Sequence, residues 1–289
     1  LARSLLKTVN FNRTCRGGTK EDFIITPFKI NDEKEKMMKR VKMLAAAMAL
    51  VAAACGSAMA TPSTTYWTPM TLDIQSYKVV HLGIDNYFTV DKPKTDAGAV
   101  NSFPTDVGLT VGVLPFEKIQ MEVGVDANYP SVYPYLFNAK IGAPEDALFK
   151  YSPALQVGIF NAGTKDKVTN QDVGYGVIGK TIPVLGRLSA GPYIGNSAVL
   201  GRKQNAGFMV ALDHGLFPTK DAAGNEYSKV VLAGDYASGK NAIGGGGVGV
   251  YYFFTKDISL LTGPVWFNEK TINGSWKWTT QLDINFPSF

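Results

Sequence analysis

The stretch "WKWTTQLDINFPSF" alternates without a break. Trp276, Trp278, Thr280, Leu282, Ile284 and Phe286 form one face, apolar but for a threonine, and Lys277, Thr279, Gln281, Asp283 and Asn285 form a polar one. A period of two marks a β-strand whose two sides meet different surroundings. The pattern recurs in "KVVHLGIDNYFTV", where Val80, Leu82, Ile84, Phe88 and Val90 oppose His81, Gly83, Asp85, Tyr87 and Thr89. It recurs again in "KIQMEVGVDAN", with Ile119, Met121, Val123 and Val125 against Gln120, Glu122, Gly124 and Asp126. No stretch of ordinary helix length shows the helical period.

Twelve alternating segments follow one another, near 78–91, 105–115, 118–129, 135–143, 153–163, 171–182, 186–197, 205–214, 229–238, 242–255, 258–267 and 275–286. The joints alternate as well. "LPFEK", "IPVLGR" and "FTKDIS" are tight, whereas "DKPKTDAGAVNSFP", "NAGTKDKVTNQ" and "NSAVLGRKQN" are longer and polar. Two joints, "APEDALFKYSP" and "HGLFPTKDAAGNEYSK", are longer than this rhythm wants. An even strand count, with mostly tight turns on one side, predicts an all-β fold: a closed antiparallel up-and-down transmembrane barrel of about 12 strands.

Alternation by itself does not say which face is wet, since a secreted sandwich has the same period. The region before the first strand narrows the choice. Lys39, Arg40 and Lys42 precede the apolar run "MLAAAMALVAAA", and "CGSAMA" closes with small residues at Ala58 and Ala60. That is the layout of a secretory signal, with cleavage expected after Ala60. Its apolar core is 12 residues, well short of the roughly 20 a spanning helix needs. The expected organisation is thus 1–36 as over-called upstream sequence or a disordered leader, 37–60 as a Sec signal peptide, and 61–289 as the barrel. Cys55 as a lipid-modified terminus is the lesser reading, because Ala52 stands where such signals carry leucine.

Three features favour lipid on the apolar face. One is the envelope-directed signal. Another is the set of aromatics near strand ends: Phe88, Phe254, Trp266, Trp276 and Phe286. The third is glycine on the polar face, at Gly83, Gly108, Gly112, Gly124, Gly142, Gly158, Gly174, Gly176 and Gly191, leaving room in a closed barrel for Tyr87, Phe160 and Tyr193 or for water.

With its alternate apolar residues closing on an aromatic, the final strand resembles the last strand of bacterial outer-membrane β-barrel proteins, and the chain is similar to that family in layout. The resemblance implies that Trp278, Leu282, Ile284 and Phe286, or Phe289 beyond Pro287, form the signal read by the barrel-assembly machinery. It also implies outer-membrane lipid as a partner and a bacterial outer-membrane location. No narrower subfamily follows.

Removing 1–60 changes the charge. The whole chain carries +5, but the remainder holds 18 basic and 19 acidic side chains, which gives no electrostatic footprint for nucleic acid. Both cysteines, Cys15 and Cys55, leave with the removed part, so no thiol chemistry or cysteine metal site is expected. "GGGGVG" matches a dinucleotide fingerprint only in letters, since "VYYFF" continues a strand where a helix would have to start. His81 and His214 are the histidines, with no metal spacing; His81 sits on the polar face and no serine partner can be placed for His214.

No cofactor and no enzyme activity are expected. The candidate lumen-facing side chains are His81, Asp85, Tyr87, Gln120, Glu122, Asp126, Lys140, Asp172, Lys180, Asp235, Lys277 and Asp283. Mixed charges can pair and plug a narrow barrel, or line a water-filled path. Abundant inward glycine favours a small passive channel for ions or small polar solutes. The alternatives are a non-conducting barrel acting through its external loops in adhesion, binding or structure, and an outer-membrane lipid hydrolase.

Overall fold

A computed structural model describes residues 64–90, 101–201 and 204–286. The expected leader, the signal peptide with its cleavage site, and Phe289 lie outside the described residues.

The twelve strands are β1 (Val80–Phe88), β2 (Thr105–Gly112), β3 (Gln120–Tyr129), β4 (Tyr135–Ala143), β5 (Ala154–Gly163) and β6 (Val173–Ile182), then β7 (Gly186–Ile194), β8 (Ala206–Lys220), β9 (Glu226–Ala237), β10 (Gly245–Thr255), β11 (Ile258–Phe267) and β12 (Trp276–Phe286). Each pairs antiparallel with its sequence neighbours. The sheet closes where β1 meets β12, from Val80 opposite Phe286 to Phe88 opposite Trp278. Closure removes every free sheet edge at membrane depth, as a hydrocarbon surround demands.

The outer wall is apolar all the way round. Leu109, Phe137, Val157, Ile178, Ile194, Phe208, Leu232, Val250, Phe254 and Trp278 all stand exposed. A soluble protein rarely exposes an apolar band of this extent, and around a closed barrel it is the face that meets lipid. The near rim, where β1 starts and β12 finishes, carries short joints, down to two residues between Thr255 and Ile258. Joints at the far rim are mostly longer, and one contains a single helical turn at Lys270–Asn273. Apart from the ten-residue joint between β4 and β5, the tighter turns gather at the near rim.

One joint differs from expectation. "HGLFPTKDAAGNEYSK" is mostly strand: β8 and β9 run on past the near rim, pairing Pro218 with Ser228 and Lys220 with Glu226. The reversal itself is short and built on Asp221, whose side chain accepts from the backbone N–H groups of Ala223 and Asn225. Hydrogen bonding from the Asn225 side chain holds the Asp221 carboxyl below its ordinary value.

The interior departs furthest from the sequence reading, because it is filled by the chain itself. Residues 64–79 run down inside the barrel from its far half, turn at the near rim and continue as β1. Met70 and Leu72 pack among Tyr175, Val177, Tyr193 and Met209, while Tyr66 packs among Val231, Tyr251, Leu261 and Val265. Much of the inward face of β5–β11 is therefore apolar, matched to this inner segment rather than to water.

The phase of β6 is a correction. Val173, Tyr175 and Val177 turn inward and are buried; Gly174, Gly176 and Lys180 fall on the outer phase. Reading glycine and lysine as the inner face fails because the partner inside is the apolar pair Met70 and Leu72.

Candidate functional site

The inner segment is held at three levels. In the far half, Asp235 Oδ2 accepts from the backbone N–H groups of Tyr66, Trp67 and Thr68 at 3.1, 2.8 and 2.7 Å, and from Thr68 Oγ1 at 2.9 Å. Ionised acceptors make the stronger hydrogen bonds, so one carboxylate fixes three consecutive peptides. The Tyr66 hydroxyl donates to the Pro264 carbonyl and its ring lies on the bare backbone of Gly247, Gly249 and Gly263. The "GGGGVG" run thus serves as the seat of an aromatic ring.

At mid-depth, Gln281 Nε2 donates to the Tyr66 carbonyl at 3.0 Å, Gln156 Nε2 to the Leu72 carbonyl at 2.6 Å, and Ser189 Oγ to the Met70 carbonyl. Near the lower rim, Arg187 bridges Asp73 and Asp213, 2.7 Å to each. Lys140 Nζ donates to the Asp73 carbonyl at 2.8 Å and lies 3.3 Å from Glu122, while Glu122 accepts from the Gln75 backbone N–H at 2.7 Å. An irregular backbone at membrane depth survives only when its polar groups are satisfied by protein or water, and here lumen side chains satisfy them.

Most of the residues expected in the lumen turn inward, yet several have the inner segment, not water, as their neighbour. Glu122, Lys140 and Asp235 hold it directly, as described. His81 Nε2 lies 3.4 Å from Asp283, and its Nδ1 shares the Asn285 side-chain oxygen with Gln75 Nε2. Tyr87 accepts from Gln281 through its hydroxyl, and Lys277 donates to Thr89 Oγ1 and the Asn101 carbonyl. Gln120 is half-buried at the near rim in phase with Glu122.

Two lumen assignments are corrected. Asp172 is exposed in the far-rim joint before β6, where its oxygen accepts from Asn170. Lys180 lies at the near rim on the outer phase, paired with Glu145 and Asp146. Of the aromatic terminal signal, Trp278 and Phe286 are exposed on the outer face, with Leu282 and Ile284 in phase between them.

Sequence reasoning passed over Arg187, Asp106 and the whole inner segment. Asp106 shares its phase with Gly108 and Gly112, and Arg187 shares its phase with Gly191, so the alternation already used would have found both. The inner segment, "TTYWTPMTLDIQSY", offers no period to read.

Space remains beside the inner segment. A cavity of about 480 Å³ opens among the far-rim joints, at Phe103, Gln171 and Ile272, and descends along β1–β5 to Glu122 and Lys140. Along β3 it reaches from Asn128 to Glu122, six residues or roughly 20 Å of strand. Its lower end is shut by the Glu122–Lys140 pair, which is tied to residues 73–75. Asp85, Asp106 and Asp126 face this shaft.

His214 lies near the lower rim on the outer phase of β8, its Nδ1 without a hydrogen-bond partner among the described residues. The neighbouring Ser228 points inward at Gly215. No serine–histidine pair is formed there.

No protein-family model matches the sequence, and no curated protein matches it. Among solved structures, the COG4313 outer membrane channel from Pseudomonas putida F1 is similar at 8% identity and a TM-score of 0.43, over 78% of this chain and 99% of that one. Outer membrane phospholipase A from Escherichia coli is similar at 11% identity and a TM-score of 0.40, over 74% and 98%. A mutant of Rh. blastica porin gives 8% identity and a TM-score of 0.37, over 78% and 66%. Channels and an enzyme share these values, so likeness at this level says nothing about activity.

Proposed function

We infer that the protein is a bacterial outer-membrane barrel working as a narrow gated channel for ions or small polar solutes, closed at rest by its own inner segment. The observation that carries this reading is the shaft. It enters from the far rim, follows the wall for most of the barrel's height and stops at a floor made of the Glu122–Lys140 pair and residues 73–75. A barrel serving only as a scaffold has no need of an open shaft over a floor held by side-chain contacts. Opening then requires only the lower half of the inner segment to shift, while the Asp235 cradle keeps the upper half in place.

Recording in a planar bilayer tests this. The wild type is expected to open in brief discrete steps. Gln75→Cys with Asn285→Cys, bridged by a reducible bis-methanethiosulfonate linker, should fall silent and recover on reduction. The two side chains are in contact now, 2.9 Å apart. A verified barrel that carries no current at any voltage or salt would leave the sealed floor as a permanent feature, and the non-conducting barrel acting through its far-rim loops would stand instead.

A further inference from the structure

The shaft has two kinds of wall that gating leaves without a task. One is acidic. Asp85 stands opposite Asp106 in the β1–β2 pair, and Asp126 stands opposite Gly108 on the next strand. A Cβ on Gly108 would come within 2.7 Å of the Asp126 oxygen, so glycine makes room for that carboxylate. Asn138 donates to Asp126. Asp85 has no hydrogen-bond donor beside it among the described residues. The positive groups near this space are committed elsewhere: Lys140 to Glu122, His81 to Asp283, and Lys277 to Thr89 Oγ1 and the Asn101 carbonyl.

The other wall is aromatic. Trp67, Tyr87 and Phe103 line the mouth, with Tyr87 5.3 Å from Trp67 and 5.7 Å from Phe103 between ring centres. Phe160 and Tyr175 meet edge to face at 5.7 Å between ring centres elsewhere in the lining. Phe103 already carries an ammonium group, the Lys277 Nζ, 4.5 Å from its ring centre.

We propose that the shaft binds a small organic cation: one ammonium or quaternary nitrogen on a flat apolar body. Carboxylates in a low-dielectric cleft concentrate positive charge, and ring faces attract cations within about 6 Å. A space of about 480 Å³ is far too large for a bare ion and falls in the range of small-ligand pockets. Among the described residues no three metal-ligating side chains converge. A bound cation would stabilise the ionised form of these carboxyls, which a neutral ring of the same size or an anion would not do. The proposal rests on the channel reading in naming its solute class, but equilibrium binding needs no conduction.

The test is calorimetric titration of the folded barrel in detergent with benzyltrimethylammonium, using benzoate and benzyl alcohol as comparators. Saturable binding of the cation is expected, at least tenfold tighter than either comparator. Asp85→Asn combined with Asp126→Asn should weaken it at least tenfold, and Phe103→Leu, which keeps every charge, should weaken it as well. Glu226→Gln, in the near-rim hairpin, should not. Heat-modifiable gel mobility verifies each fold. Equal binding of benzoate, or no saturable signal from verified wild type, overturns the proposal. Binding without bilayer current leaves the site standing and removes the channel; current without binding does the reverse.

Discussion

The ring of Tyr66 lies against Gly249 so closely that a Cβ at 249 would stand 2.3 Å from Cε2. Two further glycines, Gly247 and Gly263, leave the same ring no more room.

Gly249→Ala should therefore dislodge the ring, at a cost of roughly 1–3 kcal/mol typical of an overfilled core. Its expected sign is a lower temperature for the gel-mobility shift of the folded form. Gly174→Ala is the contrast, because its new Cβ would meet only the Ile194 carbonyl at 3.9 Å. An equal drop in both variants would contradict the assigned phase of β6.

Asp235→Asn replaces an ionised acceptor by an amide facing three N–H groups. Charge-assisted hydrogen bonds contribute roughly 1.5–3 kcal/mol each, so the upper half of the inner segment should loosen. Limited proteolysis near Trp67 reads this directly. Asp172→Asn, in an exposed joint, should leave the digestion pattern unchanged.

Two lysines with similar sequence surroundings should behave oppositely. Lys140→Leu strands the buried Glu122, a change that typically costs about 3–5 kcal/mol. Lys180→Leu removes a rim pair whose lysine is 34% exposed, and such pairs contribute about 0–1 kcal/mol. Thermal unfolding in detergent, followed by circular dichroism, separates them; comparable losses would mean that Lys180 also works inside the barrel.

At the last strand, deletion of 287–289 should leave insertion intact if Phe286 suffices as the assembly signal. Phe286→Asp should impair it. Phe286 is exposed on the outer face opposite Val80, where a charge costs roughly 2–4 kcal/mol at mid-membrane and less near the interface. Normal outer-membrane insertion of that variant would argue against Phe286 as the signal.

What the sequence disclosed followed from how strongly two different media constrain a strand. In β1, β3 and β12 the inward positions are polar or glycine and the outward ones apolar apart from Asn86 and Thr280, so alternation set the phase and placed each end to within three residues. In β6 that contrast vanishes, because Val173, Tyr175 and Val177 face apolar residues of the inner segment, and the one lysine sits at the rim. The β8–β9 extension escaped notice because past the rim both faces of the hairpin meet a similar medium and alternation fades. Residues 64–79 were illegible for a related reason. Their backbone is satisfied by side chains from separate strands, Asp235, Gln281, Gln156, Ser189, Lys140 and Glu122, and such scattered partners impose no period.

The continuity of residues 64–79 with β1 has a kinetic side. The link is a tight reversal in which the Val79 N–H donates to the Ser76 carbonyl, the Lys78 N–H donates to the Gly112 carbonyl, and Lys78 adopts φ 62. A piece of chain leashed this short cannot diffuse away. Its effective concentration at its own seat is in the millimolar range or above, set by the tether and not by protein abundance. Re-entry is thus a first-order event that outruns capture by a dilute competitor. On the gated-channel reading, each opening ends by this intramolecular re-entry, at a rate independent of protein concentration.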